Sequence, residues 1–172
     1  MLTSEDIALK HGMMIPDEVA VLKRCAALLP DQPVIVNIGA GFGTSSAALL
    51  EVRPNAYLYS VDKHPRPEET ENLQSCGLNL SRFIKIQGIS WIVADDFPGT
   101  IDCLFVDGDH SNRAVVMDIN AWIPKVVDGG IVAFHDYEHP NVPGLTKVVN
   151  QAMKKHEVIG KHRFLIVYKL RR

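Results

Sequence analysis

The feature that most constrains the fold of this chain is a regular alternation between short apolar runs and longer helical stretches. The runs are rich in Val, Ile and Phe, and the first five are apolar almost throughout, as strands buried on both faces of a parallel sheet must be. The predicted strands are Val34–Ile38, Tyr57–Val61, Phe83–Ile86, Ile101–Val106, Ile131–Phe134, Glu157–Ile159 and Phe164–Leu170. The predicted helices are Asp17–Leu29, Ser45–Glu51, Glu68–Cys76, Arg113–Ile123 and Leu145–Lys155.

The end of the chain breaks this alternation. Only residues 160–163 separate the last two predicted strands, whereas a crossover between parallel neighbours needs about a dozen residues or more. We therefore expect these two strands to form an antiparallel hairpin at one end of the sheet. The sequence predicts an α/β, doubly wound fold with a mostly parallel, seven-stranded sheet and an antiparallel C-terminal hairpin.

The length and charge of the chain limit what it can bind. Its 172 residues predict a single domain, 1–172, with no room for a separate substrate-binding domain. Any ligand must therefore bind on the core fold. Lys and Arg total 18 and Asp and Glu total 20, which gives a net charge of −2 with the charges dispersed. We therefore expect no nucleic acid and no anionic membrane as partner.

Cysteine usage and hydropathy bear on the compartment. The three cysteines are odd in number and share no close spacing, a pattern typical of reduced thiols rather than of a disulfide framework. No apolar run approaches the ~20 residues that cross a bilayer, and the first residues lack both a basic region and an apolar core. These observations predict a cytoplasmic protein; a homo-oligomer remains open.

A glycine-rich loop follows the first predicted strand. Gly39, Gly41 and Gly43 alternate there, and such glycines let the backbone approach a ligand that a Cβ atom would push away. Thr44 or Ser45 is placed to cap the next helix, whose free N–H groups suit a carboxylate or phosphate. Thr44 stands where the G-x-G-x-x-G dinucleotide pattern has its last glycine, which disfavours a nicotinamide dehydrogenase.

Asp62 comes directly after the second predicted strand, 62 − 43 = 19 residues beyond Gly43. A carboxylate at this point is placed to accept hydrogen bonds from both hydroxyls of a ribose. The alternative is an ordinary surface turn residue. Together with the glycine loop, the spacing favours a nucleoside-binding site.

With these two motifs the chain resembles the class I S-adenosylmethionine-dependent methyltransferases. In that family the first strand ends in a G-x-G-x-G loop, an acid ends the second strand, and a seventh strand runs antiparallel. The resemblance implies a Rossmann-like methyltransferase fold, with the three loop glycines against the methionine part of S-adenosylmethionine and Asp62 on its ribose. Asn37 stands where the family often has an acid, which implies a weaker or re-routed contact with the ammonium group. Ser90 matches a position that often contacts adenine, although capping a helix is the alternative for this serine.

Two further polar clusters follow the fourth and fifth predicted strands. Asp107, Asp109 and His110 come after the fourth strand, and His135 and Asp136 come after the fifth. In an open α/β sheet, ligands bind at the carboxyl ends of the strands. We therefore expect both clusters to face the same crevice as the glycine loop. The alternative is that these acids are solvated turn residues.

The run from Leu104 to Tyr137 resembles small-molecule O-methyltransferases of the macrolide, sugar and aminocoumarin type. The resemblance implies that Asp107, His135 and Asp136 hold a divalent cation, often Mg2+, with Asp107 also beside the cofactor. It makes Asp109 a candidate general base, and His110 is a second candidate on chemical grounds.

Methyl transfer from a sulfonium is an in-line displacement, limited by alignment of the nucleophile and removal of its proton. A hydroxyl is a poor nucleophile at neutral pH, and a carboxylate-held cation lowers its pKa. The resemblance, together with these residue types, therefore implies an enzyme that methylates a hydroxyl of a small-molecule acceptor. Metal-free base catalysis is one alternative, and a non-catalytic cofactor-binding or regulatory module with the same fold is another.

The segment before the first predicted helix ends in Met13, Met14 and Ile15. These side chains offer an adaptable apolar surface that is placed to cover the cofactor cleft. Ordinary packing or a dimer contact is the alternative.

Overall fold

The structure is a computed structural model that describes residues 1–172. Seven helices and seven strands alternate along most of the chain. The helices are α1 (Ser4–His11), α2 (Pro16–Ala26), α3 (Thr44–Val52), α4 (Pro67–Ser75), α5 (Ser90–Asp96), α6 (Asn112–Trp122) and α7 (Pro143–Met153). The strands are β1 (Val34–Ile38), β2 (Tyr57–Asp62), β3 (Phe83–Gln87), β4 (Ile101–Val106), β5 (Val126–Phe134), β6 (Glu157–His162) and β7 (Leu165–Lys169).

All seven strands belong to one sheet with the order β3-β2-β1-β4-β5-β7-β6. Strands β1 to β5 pair in parallel, whereas β7 runs antiparallel to both β5 and β6. The predicted doubly wound α/β fold with an antiparallel C-terminal hairpin is therefore confirmed. The strand order reverses between β1 and β4, and such a reversal opens a crevice at the carboxyl edge of the sheet.

The central strands of the sheet are buried on both faces, which explains why they are mostly apolar. Adjacent residues Ile35 and Val36 of β1 are both fully buried, and they belong to two different apolar clusters. The first cluster contains Leu22 of α2, Leu49 of α3 and Leu73 of α4. The second cluster joins the other face to α5, α6 and α7, with Trp122 fully buried at its centre.

Two helices were not expected from the sequence. Helix α1 has little apolar periodicity, but Thr3 and Asp6 form a capping box at its start. The second is α5, in which Ser90 is the first helical residue and makes no capping hydrogen bond. The capping alternative for Ser90 is therefore wrong. The predicted cap by Thr44 or Ser45 is also wrong, because α3 begins at Thr44 and its N-cap is Gly43.

The N-terminal helix is fixed to the rest of the domain. The backbone N–H of Ser4 donates to Glu51 of α3 at 2.8 Å, and Lys23 of α2 pairs with both Glu5 and Glu51. None of the helices is both long and apolar enough to span a bilayer. The three cysteines are free and buried.

Candidate active site

A cavity of about 680 Å3 opens at the carboxyl edge of the sheet. It lies where the strand order reverses between β1 and β4, the usual ligand position in an open α/β sheet. The glycine loop, Asp62 and the polar residues that follow β4 and β5 all border it. The motifs found separately in the sequence therefore share one crevice, large enough for a nucleoside-sized ligand.

The three loop glycines have different physical reasons to be glycine, although all have positive φ. A Cβ atom on Gly39 would lie 2.1 Å from the carbonyl oxygen of Asp107, and one on Gly43 would lie 3.0 Å from Glu69. Gly41, at φ +54°, has open space at the Cβ position and borders the cavity. Gly39 and Gly43 therefore allow close packing, whereas Gly41 leaves room for a ligand.

Asn37 is fully buried beneath the loop. Its Nδ2 donates to the hydroxyls of Ser45 at 3.0 Å and Ser46 at 2.8 Å, and Ser46 in turn donates to buried Glu69. Neither Asn37 nor Gly43 borders the cavity. Each therefore acts on a ligand only through the loop that it holds in place.

The start of α3 offers hydrogen-bond donors to the cavity. Thr44 and Ser45 border it, and the Oγ1 atom of Thr44 is buried without a partner in the protein. The first N–H groups of a helix also lack intrahelical partners and favour a negative group. This end of the cavity therefore fits the carboxylate of an amino-acid ligand such as the methionine part of S-adenosylmethionine.

Asp62 is held by backbone N–H groups at the end of β2. Its Oδ1 accepts from the N–H of His64 at 2.8 Å, and its Oδ2 lies 3.5 Å from the nitrogen of Gly41. The side chain borders the cavity, and each carboxylate oxygen keeps acceptor capacity. This geometry suits a carboxylate that receives two hydroxyls of a ribose.

We predict that Asp62→Ala weakens binding of S-adenosylhomocysteine by about 1.5–3 kcal/mol, the contribution of hydrogen bonds to a charged group. Isothermal titration calorimetry measures the loss. The exposed residue Asp31 provides the matched control Asp31→Ala, which removes the same charge away from the cavity. Equal affinities for the two variants would contradict the role of Asp62.

Ser90 borders the cavity at its far end, but its hydroxyl is already engaged. It donates to Asp118 of α6 and accepts from Nε1 of Trp122 at 2.9 Å. The sequence analysis missed Asp118, which is only 2% exposed and also borders the cavity. One feature of the sequence indicates its position: Asp118 comes four residues before Trp122, so both side chains lie on one face of α6.

The polar residues after β4 and β5 converge at the other end. Ligand atoms of Asp107, His110 and Asp136 lie within 4.8 Å of one another, and Nδ1 of His110 is 3.0 Å from Oδ2 of Asp136. Two carboxylates and an imidazole form a donor set that suits Mg2+, Mn2+ or Zn2+. Asp136 adopts φ +56°, a strained conformation of the kind found at functional sites.

His135 lies behind this set rather than in it, which differs from its predicted role as a metal ligand. Its Nδ1 is 3.4 Å from Asp107 and 3.8 Å from Asp136, and its Nε2 is 3.4 Å from Glu18 of α2. Both ring nitrogens therefore face carboxylates, and His110 provides the third donor instead. No local sequence pattern pointed to Glu18, because its contact with His135 joins residues 117 positions apart.

The charges around His135 determine its protonation state. Burial lowers the pKa of His135, but the neighbouring carboxylates outweigh burial and raise it well above its usual value. Burial likewise opposes ionisation of Asp136, yet hydrogen bonds from His110 and His135 hold its pKa below the usual range. His135 is therefore an imidazolium that neutralises buried carboxylates.

The two candidate bases differ in strength. The hydrogen bond with Asp136 raises the pKa of His110, whereas hydrogen bonds from Ser111 lower the pKa of exposed Asp109. A general base works best when its pKa lies near the working pH, which favours an imidazole over a carboxylate whose pKa is lowered. His110 is therefore the better candidate for the general base.

The connection between α1 and α2 forms part of the cavity wall. Gly12, Met13 and Met14 border the cavity, with Met14 buried and Met13 exposed. The placement agrees with the expectation that this segment covers the cleft.

Comparison with known proteins assigns the family. Residues 36–137 match the model of a methyltransferase domain. The chain belongs to this methyltransferase family. The match spans β1 to the residues after β5 and so includes the glycine loop, Asp62 and the polar residues of the cavity.

One relative of this methyltransferase is R132, an uncharacterized protein of Acanthamoeba polyphaga mimivirus. It is 30% identical over 151 residues, which cover 76% of this chain and 68% of R132.

Solved structures share the fold at low sequence identity. The O-methyltransferase NovP superposes with a TM-score of 0.73 at 15% identity, over 94% of this chain and 83% of NovP. MycE, a methyltransferase of mycinamycin biosynthesis in complex with Mg, SAH and mycinamycin VI, has a TM-score of 0.68 at 18% identity, over 99% of this chain and 55% of MycE. An rRNA methylase from Streptococcus thermophilus has a TM-score of 0.68 at 14% identity, over 91% of this chain and 95% of that one. The Rossmann-like methyltransferase fold is thereby confirmed.

Proposed function

We propose that this methyltransferase transfers the methyl group of S-adenosylmethionine to a hydroxyl of a small molecule, assisted by a divalent cation. The observation that carries the proposal is the meeting of two sites in one cavity. The glycine loop and Asp62 form a nucleoside and amino-acid site, and Asp107, His110 and Asp136 lie beside it. A methyl donor and a hydroxyl-activating group are useful only when they are adjacent.

Different residues of the cavity bind the cofactor and remove the proton. The loop and Asp62 fix the cofactor, so that its methyl group faces the polar residues after β4 and β5. Without a bound cation, His110 removes the proton of the acceptor hydroxyl, and Asp136 at 3.0 Å from Nδ1 orients the ring and stabilises its protonated form. His135 and Glu18 keep the carboxylates in place from behind.

A divalent cation fits the same residues. Asp107, His110 and Asp136 would hold it, and it would lower the pKa of the acceptor hydroxyl. In that arrangement His110 would be a ligand, and Asp109, which also borders the cavity, would be the remaining candidate base. If the cation is required, a chelator stops turnover. If His110 acts as the base without a cation, a chelator leaves turnover unchanged.

Net charge and two similar structures support a small molecule as the acceptor. The net charge of −2 gives no electrostatic attraction for a polyanion, and phosphate contacts are a large part of nucleic-acid affinity. The similarity to the O-methyltransferase NovP and to MycE, which was solved in complex with mycinamycin VI, supports a small hydroxylated acceptor. The neighbouring rRNA methylase shares the fold, and fold does not determine substrate.

A panel of catechols, glycosides and macrolides tests the proposed reaction. Each compound is incubated with S-adenosylmethionine and the protein, and mass spectrometry detects a product heavier by one methylene unit. His110→Ala provides the matched inactive enzyme. Cofactor binding without methylation of any hydroxyl would support the non-catalytic module, and methylation of an RNA oligonucleotide would contradict the acceptor class.

We predict that chelation lowers turnover of an identified acceptor at least ~100-fold, because a bound cation contributes several kcal/mol to such reactions. EDTA followed by Mg2+ or Mn2+ tests loss and recovery. Asp107→Asn is expected to abolish the recovery while retaining cofactor binding. Unchanged turnover in EDTA would remove the cation from the account and leave His110 as the base.

A further inference from the structure

Three basic residues of one short segment border the cavity without an acidic partner. Lys63, His64 and Arg66 follow β2 and are exposed where they line the cavity. None of them takes part in an ion pair, whereas Lys85 of β3 pairs with Glu69 at 3.4 Å. Positive side chains that line a cleft raise the local concentration of anions. This basic rim, Lys63, His64 and Arg66, is therefore placed to receive a negative group.

Arg66 is held against the glycine loop. Its guanidinium lies 4.7 Å from the ring centroid of Phe42, which also borders the cavity. His11 stacks on the same ring, with the two ring centroids 3.9 Å apart. A guanidinium that stacks on an aromatic ring uses its face and keeps its in-plane N–H groups for other partners. These N–H groups form a planar fork that matches a carboxylate or a phosphate.

Lys63 lies near the acceptor end of the cavity. Hydrogen bonds from Ser111 lower the pKa of Asp109, and the positive charges of His110 and Lys63 add to this effect. Such a Coulomb interaction weakens with distance, so the two charges must be close. Asp109 and His110 follow β4, where the acceptor hydroxyl must bind. The basic rim therefore extends toward the bound acceptor.

The cofactor does not account for the charges of the basic rim. S-adenosylmethionine has one carboxylate, which fits the start of α3, where the Oγ1 atom of Thr44 lacks a partner. Its ammonium and sulfonium groups are positive, and its ribose and base are neutral. A negative group for the basic rim must therefore come from a second ligand. In a methyltransferase that second ligand is the methyl acceptor.

We propose that the methyl acceptor is a small hydroxylated anion, with a carboxylate or phosphate bound by Lys63 and Arg66 while its hydroxyl lies beside His110. This inference rests on the proposed function and narrows its acceptor class. The basic rim is local, and the net charge of −2 gives no further attraction for a longer polyanion. Lys63 and Arg66 are specificity-determining residues, which bind the acceptor away from its reacting hydroxyl.

Calorimetric titrations into the protein saturated with S-adenosylhomocysteine test the charge of the acceptor with matched pairs. One pair is 3,4-dihydroxybenzoate and 3,4-dihydroxybenzamide, and the other is glucose 6-phosphate and glucose. EDTA is present, so that no bound cation can hold the phosphate. We expect the wild-type protein to bind the anion of at least one pair about tenfold more tightly than its neutral analogue, the size of a charge-assisted hydrogen bond. The pair that shows this preference distinguishes a carboxylate from a phosphate.

Variants of the basic rim show whether it is the source of the preference. Lys63→Gln/Arg66→Gln is expected to bind the two members of each pair within about threefold of each other. Lys147→Gln/Lys155→Gln removes the same charge from exposed positions of α7 and the turn after it, away from the cavity, and should keep the wild-type preference. Added salt should reduce the preference of the wild-type protein, because it screens exposed charges.

The outcomes separate this inference from the proposed function. A wild-type protein that does not bind S-adenosylhomocysteine would overturn the cofactor assignment itself. Cofactor binding with no preference for either anion, or with no binding of any of the four compounds, would overturn the anionic acceptor and leave the cofactor site intact. A Lys63→Gln/Arg66→Gln protein that keeps the preference would also overturn it, and a loss of S-adenosylhomocysteine affinity in that protein would assign the two cations to the cofactor carboxylate.

Discussion

Replacing Gly41 with valine is expected to abolish binding of S-adenosylhomocysteine, with a loss of at least ~100-fold in affinity. Gly41 borders the cavity, and the space beside it is open at the Cβ position. A valine side chain would fill the space in which the amino-acid part of the cofactor would lie. Calorimetry measures the affinity, and circular dichroism confirms that the variant is folded.

The valine also strains the backbone, because Gly41 has φ +54° and such strain costs ~1–3 kcal/mol. Gly99→Val separates this effect from the loss of space. Gly99 has φ +101°, no atom within 4 Å of its Cβ position and no place in the cavity wall. The control should lose stability but not affinity. Normal binding by Gly41→Val would mean that the cofactor does not lie against the loop.

Replacing His135 with alanine is expected to destabilise the protein by about 3–5 kcal/mol, the cost of leaving buried charges without their partner. The imidazolium lies within 4 Å of Glu18, Asp107 and Asp136. Glu18 is only 2% exposed, so water cannot replace the lost charge. Urea unfolding at pH 7 measures the change in free energy.

The surface pair of His162 and Asp17, with nitrogen and oxygen 3.7 Å apart, provides the control for this experiment. His162→Ala should cost less than about 1 kcal/mol, because exposed ion pairs contribute little. The double variant Glu18→Gln/His135→Ala should recover part of the stability that His135→Ala loses, since it removes one uncompensated charge. Similar costs for the two single histidine variants would show that His135 is not a buried counter-ion.

The sheet was predictable because strands that are buried on both faces appear in the sequence as short apolar runs. Val34–Ile38 and Ile101–Val106 were predicted with the observed bounds, and both are mostly apolar strands at the centre of the sheet, with Asn37 and Asp102 as their polar residues. Strand β5 was predicted from Ile131 but begins at Val126. Its first half contains Asp128, Gly129 and Gly130, which are typical of turns.

The site was predictable only where a motif lies in one local stretch of chain. The glycine loop and Asp107 to His110 are contiguous, and their place at the strand ends indicated a shared edge. Glu18 and Asp118 lie within helices, and their roles depend on contacts with β5 and α5 that no local pattern records. The predicted metal ligand was His135, whereas His110 lies beside Asp107 and Asp136 in the structure. This difference could not be read from the sequence, because the direction of a side chain after a strand depends on the backbone conformation.

A crystal structure of the protein grown with S-adenosylhomocysteine tests the central claim most directly. The account predicts electron density along the carboxyl edge of the sheet, with the amino-acid end at the glycine loop, the ribose hydroxyls on Asp62, and the base beside Ser90 and Asp118. The sulfur would face the residues that follow β4 and β5. An empty cavity at saturating ligand, or a ligand bound away from the glycine loop, would contradict it.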